Sequence, residues 1–204
     1  MADYSRINAV QLDALREIGN IGAGHAAASL SSMVHQKVMI DVCRADLMNI
    51  KDMGRIFNQE HWDMLDIQSG FSGPIKGSIH YVMSHEGAVD LMDMLEAGPD
   101  RLIKESTGID LTVLKECGSL LSAAYLKAIG DLAQFSVVLS PPDAGYVQGM
   151  NFVSEILSKQ RTGEEMVFCN ETVFIAAGKR VKVYFFFLAD QQGFELIFKH
   201  LGIK

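Results

Sequence analysis

The chain has 204 residues, of which 49% are hydrophobic, and a formal net charge of −7. This length allows one large domain or two small ones, and the acidic balance disfavours binding to nucleic acid or anionic membranes. The three cysteines, Cys43, Cys117 and Cys169, form no C-x-x-C pair, which favours a reducing cytoplasm over a disulfide framework or a zinc cluster. The charged N-terminal segment lacks the apolar run of a signal peptide, and no segment reaches the roughly 18 apolar residues of a membrane span.

The first half of the chain predicts a helix, a strand, a short helix, a hairpin and a second helix. Apolar spacing predicts the helices and alternation predicts the strands, while Pro74 and its flanking glycines mark the hairpin turn. In chain order these elements lie at 10–34, 37–42, 51–58, 63–84 and 85–98.

After a connector at 99–108, the same order of elements begins again. The predicted elements are a long helix at 110–132, a strand at 135–141, a short helix at 147–158, strands at 164–176 and 180–189, and a closing helix at 191–202.

The two halves also share residues at matching positions. An offset of 99 residues aligns Glu17 with Glu116 and Gly19 with Gly118, and an offset of 106 aligns Gly87 with Gly193. A half of this size buries a small fraction of its surface by itself, so we expect the halves to share one core. The prediction is a single α+β domain over 1–204 with pseudo-repeat halves at about 10–98 and 109–204. A central antiparallel sheet would be shared by two pseudo-twofold halves with helices packed outside it, in a monomer.

Three polar residues in the first helix lie on one face. Asp13, Glu17 and Asn20 follow at spacings of four and three, and at about 100° per residue they fall within a narrow arc. Leu15 and Ile18 fall on the opposite side. A carboxylate and a carboxamide one turn apart suit gripping a cation and orienting a water molecule.

Glycines surround this polar face, although each costs up to about 1 kcal/mol in a helix interior. Gly19 and Gly22 allow close packing against the other half, whereas Gly24 lies on the polar face and leaves room for another molecule. The G-x-x-G-x-G order differs from a dinucleotide fingerprint, and no strand precedes it.

The polar face resembles the signature of the CheC/CheX/FliY family of chemotaxis phosphatases. That signature is Asp or Ser, three residues, Glu, two residues, Asn, and a Pro after 22 more, and Asp13, Glu17 and Asn20 match its first part. Length and duplication also resemble CheC over essentially the whole chain. At the position of the Pro this sequence has Cys43 in the first half and Pro142 in the second.

The corresponding triplet of the second half is Thr112, Glu116 and Ser119. A serine is shorter than an asparagine and lacks its planar donor–acceptor pair. We therefore expect one competent site, at Glu17 and Asn20, and a second that is degenerate or serves binding alone.

The resemblance implies a phosphatase that removes the aspartyl-phosphate of a CheY-like response regulator. Asn20 would hold a water in line with the phosphorus, and Glu17 would pair with a lysine of the regulator. Asp13 would either contact the regulator or stabilise the helix surface, and Gly24 would contribute to binding. The chain would need no metal or cofactor of its own, because the regulator brings the magnesium. No Ser/His/Asp set is required, and the spacing of the six histidines predicts none.

Two other functions are also compatible with this sequence. One is a non-catalytic CheC-like adaptor that binds a receiver domain or a CheD-like deamidase, which the changes at Ser119 and Cys43 favour. The other is a structural component of the flagellar switch, disfavoured because such proteins usually carry an additional switch domain.

Overall fold

The computed structural model describes residues 8–50, 53, 63–96, 109–148, 151–154, 156 and 166–203. Its helices are α1 (Ala9–Val34), α2 (His85–Glu96), α3 (Leu111–Ala133) and α4 (Gln191–His200). Its strands are β1 (Met39–Asn49), β2 (Asp63–Ser72), β3 (Gly77–Ser84), β4 (Val138–Leu139), β5 (Asp143–Gln148), β6 (Met166–Ala176) and β7 (Lys179–Ala189). Residues 151–154 and 156 are also helical.

Most predicted elements are confirmed, and the differences concern the first strand of each half. β1 runs to Asn49, beyond the expected end at residue 42. The strand expected at 135–141 is reduced to the two residues of β4, because Pro141 and Pro142 follow and cannot donate to a ladder. The strand β5 was not predicted. The short helix at 51–58, apart from Met53, and the connector at 99–108 lie outside the described residues.

The described strands form one antiparallel sheet in the order β1-β6-β7-β3-β2, with β4 and β5 both paired to β2. The first strand of each half therefore pairs with the hairpin of the other half, since β1 lies on β6 and β4 lies on β2, where β5 also pairs. Strands β3 and β7 join the halves at the centre. The shared antiparallel sheet is thus confirmed, whereas an ancestral duplication stays a prediction.

The four helices contribute to one large apolar core against the sheet, and a second, smaller cluster lies apart from it. The large core includes Leu30 of α1, Tyr125 of α3 and Phe194 of α4. The smaller cluster joins Met64, Val82 and Phe186 to Phe152 of the helical segment. Within the described residues, no helix is both long and apolar enough to cross a bilayer.

Candidate functional site

The helix that carries the predicted site begins with a reciprocal cap. The Gln11 N–H donates to Asn8 Oδ1 at 2.9 Å, and the Asn8 N–H donates to Gln11 Oε1 at 3.1 Å. These bonds satisfy backbone donors that the first turn would otherwise leave free. The helix ends at Val34 and is followed by His35, whose φ of 53° is left-handed. Residues next to α1 therefore set both of its ends, and the predicted site lies on a regular helix.

The structure places the predicted site residues together on the exposed face of α1. Asp13, Glu17, Asn20 and Gly24 are exposed, whereas the side of the helix facing the core is buried. The side chains of Glu17 and Asn20 make no hydrogen bond or ion pair with any residue that the structure describes. A carboxylate and a carboxamide one turn apart are thus available to a second molecule.

The glycines of α1 divide into two kinds. A Cβ added at Gly22 would lie 2.3 Å from the ring of Tyr125, and one at Gly19 would lie 2.8 Å from Phe168. A Cβ at Gly24 would meet nothing within 4 Å. The first two glycines therefore allow α1 to pack closely against the second half, while Gly24 leaves the polar face open, as predicted.

Asp13 is the member of the face that already has a partner. Its Oδ1 lies 3.3 Å from Arg16 Nη1, and the Asp13 side chain keeps 73% of its surface exposed. Arg16 also donates from Nε to the backbone oxygen of Ala45 on β1, at 3.4 Å. The guanidinium therefore links the polar face to the sheet edge.

The corresponding face of α3 resembles that of α1 in its helix cap and its packed glycine, but it carries different side chains. Thr112 and Glu116 are exposed, whereas Ser119 is half-buried. The Thr112 N–H donates to Asp110 Oδ1 at 2.8 Å, which caps the helix. Gly118 packs over Ile67, to whose Cγ2 an added Cβ would come within 2.3 Å. The short hydroxyl of Ser119 reaches less far into solvent than the amide of Asn20.

The position of the signature proline lies at an irregularity of the strand pairing in both halves. The ladder of β1 with β6 shifts register between Val42 and Arg44, so residue 43 lies in a bulge. In the second half, residues 140–142 separate β4 from β5. A proline fits such a break because no ladder hydrogen bond is lost there. With Cys43 in place of the proline, β1 still shifts its register at that point.

A hydrogen-bonded Ser–His–Asp chain exists that the histidine spacing did not predict. His80 Nδ1 lies 2.9 Å from Asp66 Oδ2, and Ser78 Oγ lies 2.9 Å from His80 Nε2. Asp66 and His80 are each 5% exposed, and Phe152 lies edge-on to the imidazole. The alternation of residues 78 and 80 on one strand was a usable signal, but the pairing of β2 with β3 was needed to add Asp66.

This chain of residues lacks the remaining parts of a hydrolase site. Strand β3 is paired on both sides, by β2 and by β7, so its N–H groups are engaged in ladders. An acyl-transfer site needs free donors for the developing oxyanion. We therefore interpret Ser78, His80 and Asp66 as a buried polar network, in which both ring nitrogens of His80 have partners and Asp66 Oδ1 has none.

The described thiols are also unsuited to nucleophilic chemistry. Burial raises the pKa of Cys117 and of Cys169 to about 12, so both stay protonated at neutral pH. No group of three or more His, Cys, Asp or Glu side chains in the described ranges could hold a metal ion. The exposed α1 face is thus the candidate site that the structure supports best.

Comparisons with known proteins find similarity to CheC-like proteins. A sequence profile of the CheC-like family matches residues 10–42, which include the whole polar face. The CheY-P phosphatase CheC of Bacillus subtilis (strain 168) is 27% identical over 206 residues, covering 99% of each protein.

Two solved structures show the same fold. The crystal structure of Thermotoga maritima FliY superposes with a TM-score of 0.76 at 16% identity, covering 96% of this chain and 98% of that one. A chain of the FliM–SpeE complex from H. pylori gives a TM-score of 0.66 at 16% identity, with 97% of each chain covered. At these identities the likeness concerns the fold alone.

Proposed function

We propose that the chain is a member of the CheC/CheX/FliY family and that it is a phosphatase of the aspartyl-phosphate on a CheY-like response regulator. The observation that carries the proposal is the pair Glu17 and Asn20, exposed, unpaired within the described residues and one turn apart. The similarity to CheC of B. subtilis, a CheY-P phosphatase, supports the choice of substrate. As part of this proposal, the protein is cytoplasmic and monomeric.

Asn20 is the residue we assign to the attacking water. Its carboxamide can accept a hydrogen bond from the water and donate another toward the phosphoryl group. Hydrolysis of a phosphoryl group depends mainly on positioning and charge stabilisation. Holding the water in line therefore accelerates the reaction without a nucleophile from this chain.

Glu17 is the residue we assign to docking. Its carboxylate lies one turn before Asn20 and would pair with a lysine beside the regulator's phosphorylation site, which brings Asn20 over the phosphorus. Asp13 and Gly24 extend the contact on either side, since Gly24 offers no side chain to obstruct the partner. The magnesium that neutralises the phosphoryl charge would belong to the regulator, and this chain would bring no cofactor.

The test is phosphate release from a phosphorylated CheY-like receiver domain, with Asn20→Ala and the matched variant Ser119→Ala. We expect the wild type to accelerate release, Asn20→Ala to return it to the intrinsic rate of the regulator, and Ser119→Ala to leave it unchanged. A wild-type chain that leaves the intrinsic rate unaltered would contradict the phosphatase proposal.

An adaptor without catalysis is the second candidate. It is favoured by Ser119 and Cys43 and by the fold shared with a chain of the FliM–SpeE complex, a protein–protein assembly. Such an adaptor would bind a receiver domain or a CheD-like deamidase. Binding that survives the combined Glu17→Ala and Asn20→Ala changes, with no turnover by the wild type, would select it.

A further inference from the structure

We propose that Arg16 is a positioning residue of the α1 face, which holds Asp13 in place for the partner and ties the face to β1. The inference rests on the proposed phosphatase function and adds to it a residue outside the signature. The family resemblance assigns roles to Asp13, Glu17 and Asn20. It assigns none to Arg16, which directly precedes Glu17.

The geometry of one guanidinium carries the proposal. Arg16 Nη1 lies 3.3 Å from Asp13 Oδ1, and Arg16 Nε lies 3.4 Å from the Ala45 oxygen. Arginine presents several donors in a rigid planar fork, so a single side chain can bind two acceptors in fixed relative positions. Because the Arg16 side chain is 49% exposed, a partner docked on α1 can still reach it.

The second half provides an internal comparison. The offset of 99 places Lys115 at the position of Arg16, directly before Glu116. Lys115 Nζ lies 2.8 Å from Asp143 Oδ1, so it ties α3 to β5, the first long strand of its half. A cation thus links helix to strand in both halves. The half with Asn20 has an arginine and an acidic residue three positions earlier, whereas the half with Ser119 has a lysine and Thr112.

Charge explains why this pairing matters for docking. Asp13 and Glu17 are like charges one turn apart, which repel each other. The proposed partner presents a phosphoryl group in a pocket that binds magnesium, and such pockets are acidic. Arg16 neutralises one of the two carboxylates on the face and so reduces repulsion between two acidic surfaces. Loss of Arg16 is therefore expected to weaken docking more than the chemical step.

The experiment compares Arg16→Gln, Arg16→Lys and the matched control Lys115→Gln in steady-state phosphate release from the phosphorylated receiver domain. An exposed ion pair contributes about 0.2–1 kcal/mol, so we expect KM for Arg16→Gln to rise by up to about fivefold. We expect an unchanged kcat, a partial effect for Arg16→Lys, and none for Lys115→Gln. In an Asp13→Asn background the effect of Arg16→Gln on KM should shrink, because the two residues act as a pair.

The outcomes separate this inference from the function on which it rests. A wild-type chain without activity would overturn both proposals. An active wild type with equal KM values for Arg16→Gln and Lys115→Gln would overturn the role of Arg16 alone. A fall in kcat with constant KM would also overturn it, since docking would then be unaffected. Urea unfolding of each variant controls for loss of the fold, and an Arg16→Gln midpoint well below that of Lys115→Gln would make Arg16 a stabilising residue instead.

Discussion

The two long helices, α1 and α3, have similar caps and similar packing against the sheet, but they expose different side chains. Each is capped by a side chain of the preceding residue, each packs a glycine tightly against the sheet, and each exposes a glutamate, Glu17 or Glu116. They differ three residues after that glutamate, where α1 has an exposed asparagine and α3 a half-buried serine. A capped and tightly packed helix with an exposed glutamate is present in both halves, so on our proposal the side chain at this one position distinguishes the two faces.

Exchanging the residues at this position should produce the largest effect. Asn20→Ser removes the carboxamide from α1, and we expect turnover to fall on the order of 100-fold, because the water is no longer held in line. Adding Ser119→Asn to this variant should restore part of the lost turnover, since α3 then carries the same pair as α1. Phosphate release from the phosphorylated receiver domain measures both steps.

Two outcomes of this exchange would change the comparison. Full activity of Asn20→Ser would mean that the asparagine is dispensable and that α1 and α3 do not differ where we place the difference. No recovery with Ser119→Asn would mean that the half-buried position on α3 points its side chain away from the partner. The single variant Ser119→Asn, with Asn20 intact, controls for damage to the fold.

The glycines of α1 offer a comparison within one helix. Gly22→Ala would place a methyl group against Tyr125, whose ring is stacked on Phe185 with centroids 3.9 Å apart and cannot easily yield. We expect it to lower the free energy of unfolding by about 1–3 kcal/mol. Gly24→Ala meets open space and should raise the free energy of unfolding by about 0.5–1 kcal/mol through helix propensity.

Urea unfolding of the two alanine variants measures these opposite signs. Equal destabilisation by both changes would show that backbone flexibility, and not packing on Tyr125, is what α1 needs from its glycines. If Gly24→Ala is stable but has a raised KM for the receiver domain, the open surface at Gly24 serves the partner, as we propose.

The smallest expected effect is a loss of stability at alkaline pH. It comes from a buried residue that differs between the two helices. At the position where α1 buries Ile18, α3 buries Cys117, whose pKa burial raises from 9.0 to about 12. The folded state therefore holds the thiol proton more tightly than the unfolded state. Stability from this group is complete below about pH 9 and is lost as the pH rises toward 12.

Replacing Cys117 by valine should make the loss of stability between pH 9 and 11 less steep. Denaturant unfolding at several pH values measures the slope. Cys169, Tyr81 and Tyr125 also have raised pKa values because of burial, so part of the slope should remain in the variant. An unchanged slope would mean that Cys117 does not contribute.

Much of the site could be predicted from local pattern. Asp13, Glu17 and Asn20 are brought to one face by helix periodicity alone, and the structure confirms that this face is exposed. The hairpins β2–β3 and β6–β7 were also predicted, because alternation and turn residues are local signals.

The unpredicted features depend on contacts between distant segments. β5 has the sequence DAGYVQ, which is poor in strand-forming residues, and it becomes a strand because β2 offers it an edge. The Ser78–His80–Asp66 network needs the register of β2 with β3. The link from Arg16 to the Ala45 oxygen needs β1 to lie beside α1.

The sequence by itself therefore determined the polar face, its family resemblance and the order of elements, since these follow from the spacing of neighbouring residues. Only the tertiary structure decided which strands exchange between the halves, which glycines are tightly packed, and which member of the face is already paired. Those outcomes depend on distances between residues far apart in the chain, to which periodicity is insensitive. The difference between Asn20 and Ser119 could be read from the sequence, whereas the exposure of one and the partial burial of the other could not.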